Sequence, residues 1–436
     1  MITHEVAQRG QTPAQTIAPT QPRERIVIVD ILRGFAIFGI LLVNMLIFAA
    51  PVYQFVLETS PWPGPVNQAA ASFIRFTAEG KFFTMFSLLF GLGLTMQMSR
   101  AESRGIRFVP LYLRRMFILL LFGLAHVLLF WPGDILTYYA ILGTLLLFFR
   151  KRSPRTLLIW AVILLIIPMV LNAGLFGLVA LAGSTPEGAA IVDEQMALTI
   201  AEYETSYQEA LRIYTEGSFA EMAMQRLQDF AFSTMGIFLN GMFFVILAMF
   251  LLGLYVGRRR LLHDIPANLP FFRRVMRWSL VVGLVANLLY VWLNTLINPA
   301  EFSLPLLLSV VSFVIGAPAL CLFYVTALIQ LTQNQSWQQR LMPLAAVGRT
   351  ALSNYLLQTL VCTTIFYGYG LGLMGQVGPA LGLLLSITIF SVQVIISNWW
   401  VRRFRFGPME WLWRTATYGK LQPMRVQSLQ ERHATG

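Results

Sequence analysis

The sequence predicts an all-α integral membrane protein, because its composition and its long apolar runs both indicate that class. Of its 436 residues, 57% are hydrophobic and only 12% are charged, whereas soluble domains carry about 25% charged residues. Such a chain cannot cover an aqueous surface, which excludes a cytosolic enzyme, a nucleic-acid-binding protein and a fibrous repeat. Cys321 and Cys362 both lie inside apolar stretches, which excludes a disulfide-stapled secreted scaffold.

About ten apolar runs are long enough to cross roughly 30 Å of hydrocarbon as helices. They cover residues 27–50, 80–98, 114–131, 135–150, 155–182, 229–257, 275–297, 304–331, 347–372 and 378–401. Residues 1–25 are polar and contain no apolar run, which predicts a disordered cytoplasmic tail rather than a signal peptide. The predicted domains are this tail, five-span bundles over 26–182 and 229–401, an extracytoplasmic segment over 183–228, and a cytoplasmic interfacial helix and tail over 402–436.

Lysine and arginine in the short loops predict the orientation of the chain. The basic clusters are separated from one another by two spans, so all of them lie on one side of the membrane. They cover residues 23–25, 100–107, 150–155, 258–274, 340 and 402–405. That side is cytoplasmic, so both termini are predicted to be cytoplasmic. The segment 183–229 contains nine carboxylates and two arginines, and it falls on the outer side.

The outer segment predicts an amphipathic helical hairpin between spans five and six. Apolar side chains recur every three or four residues after Asp193, a plausible N-cap, and the pattern ends at Gly217. Ser218 and Glu221 have the spacing of a capping box, which predicts a second helix that runs into span six. We interpret the pair as a hairpin on the membrane surface, with a substrate lid as the alternative.

Polar residues within the spans are the candidates for function, because each ionised group near the bilayer centre costs about 2.5–3.5 kcal/mol on insertion scales. Asp30 and Arg33 share a face of span one, and Asn44 lies eleven residues beyond Arg33. Eleven residues return to nearly the same helix face about 16 Å further along. Arg115 and His126 repeat that spacing on span three. The structural alternative is that the arginines reach lipid phosphates, Asp30 offsets Arg33, and Asn44 packs against another helix.

His126 is the only histidine in a predicted span, and a general base usable near neutral pH is most often a histidine. Asp134 follows eight residues later, after Trp131, Pro132 and Gly133. It has two interpretations: an N-cap of span four, or a carboxylate that orients His126.

Span nine adds further polar residues near its cytoplasmic end. Arg349, Ser353, Asn354 and Gln358 lie within successive turns of that span. The glycines over 368–372 lack the ending of a phosphate-binding loop and suggest close helix packing instead. The sequence contains no metal-binding motif, so no metal is predicted.

Several motifs resemble those of the YeiB-like family of bacterial membrane proteins. They are the run Asp30-Ile31-Leu32-Arg33-Gly34 with Gly39 and Asn44, the run 86–93 (FSLLFGLG), the run 126–136, the string 348–358 (GRTALSNYLLQ) and the string 407–414 (GPMEWLWR). The resemblance spans nearly the whole chain after residue 25, and it implies a multi-pass protein of the bacterial inner membrane. More remotely, the chain is similar to transmembrane acyltransferases such as heparan-α-glucosaminide acetyltransferase, in which the acyl-transferring histidine follows the first span.

That resemblance implies a transfer of an acyl group from cytoplasmic acyl-CoA or acetyl-CoA to an extracytoplasmic sugar, lipid or small molecule. The donor-binding candidates are Arg33, Arg114, Arg115, Arg349, Asn354 and Gln358, because arginines hold phosphates by charge-assisted hydrogen bonds. His126 is the candidate base or acyl acceptor, oriented by Asp134 and placed beside Asn44.

Two hypotheses from other classes remain open: a transporter or lipid-handling protein whose pathway the same polar stripe lines, and a non-catalytic membrane sensor. The expected partners are membrane lipids and a small-molecule or glycan acceptor, without nucleic acid, and a homodimer is one assembly that the sequence allows.

Overall fold

The computed structural model describes residues 26–57, 62–103, 105, 107–298, 301 and 303–426, and these residues are overwhelmingly helical. The predicted disordered tail over 1–25 lies outside them. The helices are α1 (Val27–Ala49), α2 (Gln54–Leu57), α3 (Pro65–Thr77), α4 (Lys81–Ser103), α5 (Phe108–Leu129), α6 (Leu136–Leu145), α7 (Pro154–Ala182), α8 (Pro186–Glu216), α9 (Phe219–Leu239), α10 (Met242–Arg258), α11 (Ile265–Asn294), α12 (Leu304–Leu331), α13 (Gln335–Arg349), α14 (Ala351–Phe366), α15 (Pro379–Arg403) and α16 (Pro408–Tyr418).

Seven helical segments in the described part of the chain are long and apolar enough to cross a membrane. They are α1, α3 continuing into α4, α5, α7, α11, α12 and α15. The pair α9 and α10 is an eighth candidate, bent by 70° at Gly241, whose φ of 70° is a conformation that favours glycine. The all-α multi-pass fold is confirmed. Length and composition identify seven or eight candidate spans among the described residues, fewer than the ten that the sequence predicted.

Besides the bent pair of α9 and α10, two predicted spans differ from the structure. The run 135–150 contains only the ten residues of α6 followed by a 3-10 turn over Leu146–Phe149, because it lies between the Pro132-Gly133 turn and the basic residues that begin at Arg150. The run 347–372 is broken at Thr350, whose backbone angles of φ −117° and ψ 34° are not helical, and α14 ends at Phe366.

The predicted hairpin forms as the helices α8 and α9. The capping box of Ser218 and Glu221 is present, and α8 ends at Gly217. The predicted N-cap at Asp193 is wrong, because α8 begins at Pro186 and Thr185 accepts a hydrogen bond from the backbone N–H of Gly188. Proline at the first helical position starts this helix two turns earlier than its apolar stripe does.

Helix α1 lies at the centre of the bundle and packs against α4, α13, α14 and α15. Close approach at its N-terminal half depends on glycine, since a Cβ on Gly348 of α13 would collide with the carbonyl of Asp30. In contrast, α7 is mostly exposed and turns apolar side chains such as Val170 and Leu178 outward. Such an apolar surface is typical of a helix that faces lipid.

Candidate active site

A cavity of about 340 Å³ opens at one end of the bundle, between α1, α4, α5, the α13–α14 junction and α16. This volume lies in the range of about 300–1,000 Å³ that small-molecule sites occupy. Five arginines line it, and we call them the arginine mouth: Arg33, Arg100, Arg115, Arg349 and Arg414. Asp30 and Glu410 are the carboxylates among its lining residues, so the lining carries more positive than negative groups.

The arginine mouth is held together by contacts between α5 and α16. The guanidinium of Arg115 lies 3.9 Å from the ring centroid of Trp413, and the indole Nε1–H of Trp413 donates to the carbonyl of Arg115 at 3.2 Å. Arg115 also lies within electrostatic range of Arg33 and Arg414. Arg33 pairs with Asp30 at 3.4 Å. Crowded arginines of like charge favour the binding of an anion with several charged groups.

Glu410 of α16 connects the cavity to the start of α14. Its carboxylate accepts hydrogen bonds from the backbone N–H of Leu352 at 2.6 Å and of Ser353 at 3.2 Å, and from the Ser353 hydroxyl at 2.5 Å. These bonds satisfy N–H groups that a helix start leaves without partners. Burial raises the pKa of Glu410, and the hydrogen bonds from Ser353 and Leu352 oppose that rise.

Deeper in the bundle the cavity walls become apolar. Leu119 of α5 and Ile40 of α1 line this inner part, one and two turns beyond Arg115 and Arg33. Ile135 and Tyr355 also line the cavity. The cavity therefore suits an amphiphile with an anionic head at the mouth and an apolar portion inside.

Beyond the cavity lies a fully buried relay of three side chains, which we call the histidine relay: Asp134, His126 and Thr359. His126 Nδ1 lies 3.0 Å from Asp134 Oδ1, and His126 Nε2 lies 3.0 Å from the Thr359 hydroxyl. Asp134 also accepts from the backbone N–H of Thr137 at 2.7 Å in the first turn of α6, although the N-cap of that helix is Ile135 rather than Asp134. If Nδ1–H donates to the carboxylate, neutral His126 leaves Nε2 as an acceptor for the Thr359 hydroxyl, which also lies 3.4 Å from the Tyr355 carbonyl.

Tyr355 separates the cavity from the histidine relay. It lines the cavity, its ring centroid lies 5.3 Å from that of His126, and its hydroxyl donates to the carbonyl of Gly133 at 3.3 Å. Thr359 follows one helical turn later on the same face of α14. A ligand that fills the cavity would therefore meet Tyr355 before it met His126.

The structure brings some of the predicted residues together and leaves others apart. Arg33, Arg115 and Arg349 line the cavity, whereas Arg114 is exposed outside it, with its guanidinium against Gly419. Asn44 is half-buried on α1, and the hydrogen-bond partners of His126 are Asp134 and Thr359, not Asn44.

Asn354 and Gln358 also lie outside the cavity lining, which corrects their predicted place in a donor site. Asn354 donates to the Ser397 hydroxyl at 3.0 Å, and Gln358 donates to Gln393 at 2.8 Å. Gln393 in turn donates to the backbone carbonyl of Asn354 at 2.9 Å. Both amides therefore hold α14 against α15.

Sequence reasoning missed Thr359, Tyr355, Arg100, Glu410 and Trp413 as site residues. The signal available for the first two was their i, i+4 spacing on one polar face of span nine. Glu410 and Trp413 were visible only as part of an interfacial helix, because nothing in the local sequence indicates that this helix covers a cavity.

The fold and the site define a multi-pass helical membrane protein with a basic cavity at one end. Residues 256–420 match the family described as "Protein of unknown function (DUF418)". The chain is 40% identical over 94% of its length to "Uncharacterized protein YxaH" of Bacillus subtilis, covering 98% of that protein. It is 30% identical over 90% of its length to "Uncharacterized protein YeiB" of Escherichia coli, covering 96% of it. The chain belongs to the YeiB-like family.

Proposed function

We propose that this protein is a transmembrane acyltransferase that uses acyl-CoA from the side of the arginine mouth. One observation carries the proposal: five arginines and Tyr355 line the same cavity, and Tyr355 contacts the His126 of a buried Asp–His–Thr relay. An acyl-CoA donor has a polyanionic head and a long arm that ends in the thioester. Arginines would bind the head, and a proton-transferring histidine is needed near the thioester.

The arginine mouth would hold the phosphates of the donor by charge-assisted, forked hydrogen bonds. Arg115 and His126 are eleven residues apart on α5, which places them about 16 Å apart along the helix. An extended thioester arm can bridge such a separation. His126 Nε2 would then take the proton of the attacking acceptor hydroxyl or amine, and it would return a proton to the departing thiolate.

Asp134 supports this role by its contact with Nδ1, which fixes the ring orientation and stabilises the imidazolium that forms. Thr359 occupies Nε2 in the observed structure. In this mechanism Tyr355 turns aside, and the acceptor group replaces the Thr359 hydroxyl at Nε2.

The experiment measures thiol release from acetyl-CoA by the purified protein in lipid nanodiscs, together with radiolabelled product. We expect release in the wild type, loss in His126→Asn, and weakened donor binding in Arg115→Ala. Arg114→Ala is the matched control, since Arg114 is the neighbouring residue on α5 but lies outside the cavity. Absence of both CoA binding and thiol release in the wild type would contradict the proposal.

The complete burial of His126 and Asp134, at 2% and 3% exposure, favours one second candidate, a non-catalytic protein that handles anionic lipid. In that case the cavity binds a lipid phosphate and acyl chain, and the histidine relay only holds α5 to α14. Transfer of labelled phosphatidylglycerol between vesicles, unaffected by His126→Asn and lost in Arg115→Ala, would identify this function.

A further inference from the structure

Arg226 of α9 is an isolated, fully buried arginine at the end of the bundle that carries the α8–α9 hairpin. Its side chain is 0% exposed. Nε donates to the carbonyl of Leu128 at 3.1 Å, and the guanidinium lies 5.1 Å from the ring centroid of Phe219. Neither terminal nitrogen, Nη1 or Nη2, has a hydrogen-bond partner among the described residues.

The carboxylate of Asp229, on the same helix as Arg226, is already engaged. Asp229, one turn further along α9, accepts from the Tyr214 hydroxyl at 2.7 Å and from Gln225 Nε2 at 2.8 Å. No ion pair joins it to Arg226 within the part of the chain that the structure describes. Arg212 of α8 provides the contrast on the same hairpin, because it is exposed and pairs with Glu209 at 2.7 Å.

A buried guanidinium without an ion pair is costly, because neither water nor a carboxylate replaces its hydration. Its two terminal nitrogens form one edge of a planar fork, and that edge matches the two oxygens of a carboxylate or phosphate. The bond from Nε to Leu128 uses the opposite part of the group, so it fixes the side chain without occupying this edge.

Three tyrosines lie near Arg226, and one of them is partly exposed at the surface. Tyr214, Tyr367 and Tyr369 all lie within electrostatic range of the guanidinium. Tyr369 is 48% exposed, and its ring centroid lies 5.7 Å from that of the buried Tyr367. An anionic group that entered beside Tyr369 would find tyrosine hydroxyls as hydrogen-bonding partners near Arg226.

We propose that Arg226 is an anion-binding site that takes one carboxylate or phosphate group from a ligand entering at the hairpin end. The site is separate from the arginine mouth, which lies at the other end of α5. If the protein is an acyltransferase, this group belongs to the acceptor, because Leu128 lies only two residues beyond His126. The binding site itself does not depend on any transfer activity.

The test measures the unfolding temperature of the detergent-solubilised full chain by tryptophan fluorescence. Sodium phosphate and sodium acetate are titrated against sodium chloride at equal ionic strength, and phosphatidylglycerol micelles are compared with phosphatidylcholine micelles. A rise with phosphate or acetate indicates a free anion as the ligand, and a rise only with phosphatidylglycerol indicates a lipid headgroup. Both results support the site if they depend on Arg226.

Arg226→Met should lose this rise, and Arg226→Lys, which keeps a cation but loses the fork, should need about tenfold more anion. Arg212→Met is the matched control and should respond as the wild type does. The proposal is overturned if wild type and Arg226→Met gain the same stabilisation, because the anion then binds at the arginine mouth. It is also overturned if no anion and no lipid stabilises the wild type.

Discussion

Replacing His126 separates its chemical role from its structural one, because both ring nitrogens are bonded inside the protein. His126→Ala removes two hydrogen bonds of 3.0 Å and leaves the buried Asp134 carboxylate without its histidine partner. Breaking a buried pair in this way costs about 3–5 kcal/mol. His126→Asn is milder, since its amide N–H can take the place of Nδ1–H and only the bond to Thr359 is lost, at about 1–3 kcal/mol.

Neither variant carries an exchangeable proton of suitable acidity at the position of Nε2. Loss of general acid–base catalysis lowers a rate by about 10²–10⁴-fold, so His126→Asn should lose that factor in thiol release while it still folds and binds CoA. His263→Asn is the matched control, because His263 is exposed in the turn between α10 and α11.

The assay pairs thiol release in nanodiscs with unfolding temperature and CoA binding measured on the same preparations. If His126→Asn folds, binds CoA and releases thiol at the wild-type rate, then His126 is a packing residue and the transferase mechanism is refuted. If the wild type is active and the Asn variant is folded but inactive, the histidine relay is catalytic rather than only structural.

Three further predictions follow from the charge distribution. Cysteines that replace Ser184 and Ser103, each in a cysteine-free background, should react with an impermeant thiol reagent in intact cells only at Ser184, and labelling at Ser103 instead would reverse the predicted orientation. Arg33→Ala and Arg115→Ala should each weaken CoA binding by about 10–150-fold, since charge-assisted hydrogen bonds contribute about 1.5–3 kcal/mol. The loss of affinity should shrink as the salt concentration rises. Equal affinity in the wild type and both variants would leave only a structural or lipid-binding role for these arginines. Burial raises the pKa of Glu410 above its ordinary value of 4.5, so the folded state binds this proton more tightly than the unfolded chain. The contribution of this proton to stability is complete below pH 4.5 and disappears as the pH rises through the folded-state pKa. Glu410→Gln should therefore flatten that part of the plot of unfolding temperature against pH. An unchanged plot would show that other groups determine its shape.

Local features of the fold could be predicted from the sequence because their causes lie within a few residues. The capping box of Ser218 and Glu221 and the helix end at Gly217 need only their own turn of chain. The contact between His126 and Asp134 was also accessible, since eight residues and one tight turn separate them.

The contacts of α14 could not be predicted, because polar residues on one helix do not reveal which helix they face. Thr359 is 233 residues from His126 in the chain, and the partners of Asn354 and Gln358 lie on α15. Amides in apolar spans bond between helices as readily as they bind ligands, so the sequence alone could not separate these two roles.

The break at Thr350 explains why the arginine mouth lies where it does. Helix α13 packs along the first half of α1, where Gly348 contacts the carbonyl of Asp30, so α14 begins level with the Asp30–Arg33 turn. Non-helical backbone at membrane depth is tolerated where it lines a cavity, and Arg349, Ala351 and Leu352 all line this one. The positive dipole end of α14 then adds to the arginines. Glu410 holds the N–H groups of Leu352 and Ser353 in the observed structure, so an incoming phosphate would compete with a carboxylate on α16, and binding at the mouth would loosen the helix that covers it.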